Sequence, residues 1–174
     1  MTLFIPLQVS GFQLRTWELQ DMHSLTQYAN NRDIWLNMRD EFPYPFTSKD
    51  AELFINKARS SRDGIYLALA SESEVIGSLT LQIQDDIRRY SGVLSYWVGK
   101  QFWGKGLATA AIGAISEYAF TQLGLVRIYA KVFSTNIGSI RALEKSGFER
   151  EGYFRKGVYK EGKFIDQVLY AKVV

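Results

Sequence analysis

The chain has 174 residues, a net charge of +3 from 21 Lys and Arg against 18 Asp and Glu, no Cys, and 47% hydrophobic residues with only 3 Pro. That is the composition of one globular domain with a sizeable core, and it excludes a disordered chain, a collagen repeat and a disulfide framework. With His23 as the single histidine a Cys/His zinc site cannot form, and with neither a leader-like start nor a long apolar run the expectation is a cytoplasmic protein with no membrane or metal partner.

No repeat or linker interrupts residues 1–174, so a single domain is expected. Phe12 to Trp17 alternates as a first strand, and Glu18 to about Met38 carries the three-to-four spacing of one or two short helices. Arg39 to Phe46 reads as a loop, because Pro43 and Pro45 each remove a backbone donor. Thr47 then opens a helix with Asp50 three residues on, a capping-box variant, followed by Ala51, Phe54, Ile55 and Ala58 on one face. Ile65 to Ala70 and Val75 to Ile83 form a hairpin around residues 71–74, and Val93 to Val98 is a further strand. Leu107 to Leu123 is the strongest helix, with Leu107, Ala111, Ile115, Tyr118, Ala119 and Gln122 on its core face and Gly124 ending it. Arg127 to Phe133 is a strand, Asn136 caps a short helix ending at Ser146-Gly147, and Phe148 to Tyr159 with Phe164 to Val173 closes the chain as a hairpin. The pattern predicts an α/β or α+β fold with helices on both faces of a mixed sheet.

The chemistry-bearing stretch is Y-W-V-G-K-Q-F-W-G-K-G-L-A-T at 96–109, which sets a strand, a Gly-rich loop and a helix start in succession. Glycines let a loop aim successive amides at a phosphate, and the helix adds its free first-turn N–H groups and positive dipole end. Gly104, Lys105, Gly106, Leu107 and Ala108 would supply amides and Thr109 a hydroxyl. A P-loop is not matched, because Gly106 stands where Ser or Thr is needed after Lys105, nor is G-x-G-x-x-G, because Thr109 holds the third glycine place. What remains is Q-x-x-G-x-G from Gln101 to Gly106. Charge agrees with a phosphate-bearing partner, since residues 127–174 hold 10 basic and 5 acidic side chains.

That loop, with F-P-Y-P-F-T at 42–47, S-Y-W-V-G at 95–99, N-I-G-S at 136–139 and L-E-K-S-G-F at 143–148, resembles the GNAT N-acetyltransferases, specifically their RimJ/RimL-like branch of ribosomal-protein N-terminal acetyltransferases. The resemblance runs through most of the chain and implies a mixed, mostly antiparallel sheet of six to seven strands. It implies acetyl-CoA as cofactor, bound between the strand ending at Val98 and the strand Arg127 to Phe133. Gln101, Trp103 and Gly104 to Thr109 would bind it, Asn136 would hold cofactor or water, and Ser139 would sit by the sulfur as the acid. An N–H near Val98 would polarise the thioester carbonyl. Phe42 and Tyr44, in a rigid loop, and Tyr96 would form the acceptor side.

Two departures bear on the acceptor. Val93 stands where many relatives place a Glu, and Leu143 where other branches place a Tyr acid. For a base the chain offers Glu41, Asp40, His23 or a water held by Asn136 and Ser95. Deprotonating a Lys amine at pH 7 costs about 4.6 kcal/mol but an α-amine only about 1.1, so a site without a dedicated carboxylate suits a peptide N-terminus or a small amine of low pKa. The competing expectation is a non-catalytic acyl-CoA-binding module; direct nucleic-acid binding lacks any supporting motif. A monomer and a homodimer are both compatible with the closing hairpin.

Overall fold

The computed structural model describes residues 3–174. Its strands are β1 (Phe4–Pro6), β2 (Phe12–Thr16), β3 (Gly64–Ser71), β4 (Val75–Ile83), β5 (Ser91–Val98), β6 (Arg127–Phe133), β7 (Glu149–Lys160) and β8 (Lys163–Val173). They form one sheet in the order β1-β2-β3-β4-β5-β6-β8-β7, antiparallel at every junction except β5 with β6. Eight strands replace the six to seven expected. The addition is β1, whose three residues end in Pro6 and are too few for alternation to show; lacking an N–H donor, Pro suits this edge position.

Five α-helices lie among the described residues: α1 (Met22–Ala29), α2 (Arg32–Trp35), α3 (Ser48–Ser60), α4 (Leu107–Gln122) and α5 (Ile137–Lys145). Local chemistry accounts for their starts. Asn31 accepts from the Asp33 and Ile34 amides to start α2, and Thr47 and Asp50 form the reciprocal capping box of α3. Asn136 accepts from the Ser139 amide to cap α5. α1 and α3 pack together, as do α4 and α5.

The core is continuous, running from Leu14, Leu67 and Leu79 through Ile112 and Ile115 to Ile128. On α4 the buried stripe is Leu107, Ala111, Ile112, Ile115, Ser116 and Ala119, and the Ser116 hydroxyl is satisfied by the Ile112 carbonyl at 2.7 Å. Gln122, expected on this stripe, is exposed. Gly124 at φ +66° turns the chain just beyond it, and the buried Leu125 returns to the core instead.

Candidate functional site: a gap between two parallel strands

Strands β5 and β6 pair only at Ser91↔Arg127, Gly92↔Ile128 and Val93↔Tyr129. Beyond that point β5 continues to Val98, still paired with β4, and β6 continues to Phe133, still paired with β8. The sheet is therefore continuous at one end and open between these two strands at the other. Gly99 donates to the Ile76 carbonyl at 2.7 Å, which makes Gly99, Trp97 and Ser95 the residues that bond β4. The alternate backbone groups, those of Tyr96 and Val98, face the gap. Of Val98's pair, the carbonyl accepts the Trp103 indole N–H at 2.7 Å, and the β4–β5 register turns the amide N–H to the same side, toward the opening.

That indole bond also pins the Gln101 to Gly106 loop back onto the end of β5. Gly104 and Gly106 both stand at φ +76°, in the left-handed region where side chains are strained, and a Cβ built on either meets nothing within 4 Å. The loop is thus an open rim leading into α4, where the first intrahelical bond runs from the Ala110 amide to the Gly106 carbonyl at 3.0 Å. Leu107, Ala108 and Thr109 contribute amides with no intrahelical acceptor. Gln101, Trp103 and Lys105 are exposed; the Lys105 ammonium lies 5.2 Å from the Phe102 ring centroid.

The opposite wall is the start of α5. Its cap Asn136 fixes Ser139 through Oδ1 at 3.2 Å, and the Tyr96 hydroxyl donates to the Ser139 carbonyl at 3.2 Å. Tyr96, Ser139 and Asn136 therefore form one connected group. Burial pushes the Tyr96 phenol up to about 12, so it is a neutral donor throughout the physiological range.

Side chains of β5 alternate between faces. Tyr96 turns toward α5, whereas Val93, Ser95 and Trp97 turn to the other face, where the Phe42 ring packs 6.1 Å from Trp97 and 5.2 Å from Phe46. Tyr44, exposed, lies 5.6 Å from Trp35, and the Tyr44–Pro45 peptide is cis. Glu41 is solvent-facing, 77% exposed, and paired with Arg39 at 3.0 Å; His23 is also exposed. The Tyr96 tie and the Trp103 tie escaped the sequence reading, since each joins a side chain to a main-chain oxygen and leaves no pattern of residue types.

A family model described as an acetyltransferase (GNAT) domain matches residues 12–149. The uncharacterized N-acetyltransferase p20 of Bacillus licheniformis is 30% identical over 171 residues, covering 95% of this chain and 94% of that protein. A spermidine N(1)-acetyltransferase of Vibrio cholerae is 27% identical over 139 residues, covering 80% and 79%. Among solved structures, RimL, a ribosomal L7/L12 alpha-N-protein acetyltransferase in complex with coenzyme A, superposes with a TM-score of 0.88 over 99% of this chain and 98% of that one. Its 18% identity makes that a likeness of fold.

Proposed function

The chain belongs to the GNAT N-acetyltransferases, and from that premise we propose that it transfers the acetyl group of acetyl-CoA to a primary amine of low pKa, foremost a peptide N-terminal α-amine. The observation that carries this is the end of β5–β6 pairing after Val93↔Tyr129, beside an amide-lined rim.

The residues fit a pantetheine diphosphate. The space beside Gly104 and Gly106 is what a Cβ would fill, and the free amides of Leu107 to Thr109 suit phosphate oxygens. Acetyl-CoA, when bound, supplies an electrophilic thioester carbonyl and a thiol leaving group. Val98 directs its N–H at the gap, where it would stabilise negative charge developing on the carbonyl oxygen. Ser139, held by Asn136 and Tyr96, would present its hydroxyl as proton donor to the departing sulfur.

The acceptor face of β5 offers Val93, Ser95 and Trp97, none of them a carboxylate. Glu41, facing solvent and paired with Arg39, is screened, so water takes the amine's proton in this reading. An α-amine, of which roughly one-seventh is already neutral at pH 7, needs no more than that, whereas a lysine amine is neutral in less than about one part in a thousand. Polyamines form the second reading, favoured by the likeness to the spermidine N(1)-acetyltransferase. Thiol release from acetyl-CoA separates the two, using peptides with blocked lysines, peptides with blocked N-termini, and spermidine. Faster release with the lysine-blocked peptides supports the α-amine; silence with all three while acetyl-CoA still binds favours a non-catalytic acyl-CoA module.

A further inference from the structure

The tip of the β7–β8 hairpin reaches across to the segment between α2 and α3. Lys160, the last residue of β7, is only 3% exposed, yet it carries an ammonium. Its Nζ lies 3.8 Å from the Trp35 ring centroid and donates to Asp40 Oδ1 at 2.8 Å. The adjacent Glu161 accepts from Arg32 at 2.8 and 3.0 Å. Two cation contacts at neighbouring hairpin positions thus seize α2 and the loop that follows it, over a sequence separation of 120 residues for the Lys160–Asp40 pair.

A buried ammonium without a partner is costly, and an aromatic face with one carboxylate is a good receptacle for it. The contact also continues into the acceptor wall. Trp35, beneath Lys160, packs on Tyr44; Asp40 lies two residues before Phe42, which packs on Trp97 of β5. Asp40 itself is 79% exposed, so its own surroundings give it little reason to hold one position.

We infer that Lys160 is a positioning residue for the acceptor: by occupying the Trp35–Asp40 site it clasps the hairpin tip to residues 36–46 and sets the orientation of the Phe42–Tyr44 wall. The inference rests on the acetyltransferase reading only for its kinetic consequence; the clasp is a property of the free protein. An apolar side chain at 160 keeps the stem packing and loses the charge, whereas Arg keeps the charge and stacks on Trp35.

The test is amide hydrogen exchange of residues 36–46 in the free protein, together with the KM for a lysine-blocked peptide and the KM for acetyl-CoA. For Lys160→Met the expected result is exchange faster by about tenfold in that segment and a peptide KM raised by about tenfold, with the acetyl-CoA KM within about twofold of native. Lys160→Arg should restore both. Asp40→Asn, at an exposed position that does not threaten folding, should reproduce part of the effect. Unchanged exchange at 36–46 in both Lys160→Met and Asp40→Asn would overturn the clasp, and an acetyl-CoA KM rising in step with the peptide KM would overturn the acceptor-specific role. If the native protein acetylates no amine while exchange still responds, the proposed activity fails and the clasp stands.

Discussion

The Tyr96 hydroxyl donates to the main-chain carbonyl of Ser139 at 3.2 Å, joining β5 to the first turn of α5 across the mouth of the gap. β5 and the α5 wall of the candidate site are therefore linked directly, and this bond together with the Asn136 cap places Ser139.

Tyr96→Phe removes this bond and should cost about 1 kcal/mol of stability, read by denaturant unfolding, and lower kcat by displacing Ser139. Because burial raises the phenol to about 12, the folded state holds the neutral form more tightly than the unfolded chain does. The resulting stabilisation is complete below pH of about 10 and is lost as pH rises through about 12. Native protein should lose stability over that window more steeply than the variant, while the two pH–rate profiles keep the same shape between about pH 6 and 9.

At Gly106 a β-branched side chain is strained at φ +76°, and it would fill the open space that the proposed cofactor phosphate needs. Gly106→Val should fold with a cost of about 1–2 kcal/mol and bind CoA at least about tenfold more weakly by calorimetry. Native affinity in the variant would remove the rim from cofactor binding.

Ser139→Ala leaves the amide that Asn136 caps and the carbonyl that Tyr96 holds, so the fold of α5 should be intact. Turnover should fall by about 100-fold, with the acetyl-CoA KM within about twofold of native. A native rate would exclude the hydroxyl as proton donor.

Gly113 sits in the interior of α4, with nothing within 4 Å of a built Cβ and no positive φ. Gly113→Ala should stabilise the protein by about 0.5–1 kcal/mol in thermal unfolding, since a helical glycine carries an entropic cost without a packing reason here. Destabilisation would mean that the α4 surface is covered by something else.

Local chemistry was legible in the residues. Thr47 with Asp50, Asn136, Gly124 and the Gln101–Gly106 loop each act within a few positions of where they stand in the chain, and the structure uses the first three as caps or turns. Alternation marks β2, and β-branched and aromatic content with bounding turn residues marks β3 to β8; only β1, three residues long, carries no such signal. Gln122 departs from the expected stripe because it is the last residue of α4, where Gly124 at φ +66° already turns the chain and Leu125 takes the core place. What could not be read was set by register and by distant partners. Nothing in Val93 or Tyr129 announces that pairing stops there. Trp103 gives no sign that its N–H seeks the Val98 carbonyl, nor does Lys160 that it is buried against Trp35 and Asp40. The candidate site is made of these relationships, which residue types along the chain do not encode.

The central claim is best tested on one peptide carrying both a free α-amine and a single free lysine, incubated with acetyl-CoA near pH 7 and read by tandem mass spectrometry. A site whose β5 acceptor face presents Val93, Ser95 and Trp97 should place the acetyl group on the α-amine, with lysine acetylation slower by at least about tenfold. Acetylation of the lysine at an equal or greater rate would contradict the account, because it would require a base that this reading does not contain.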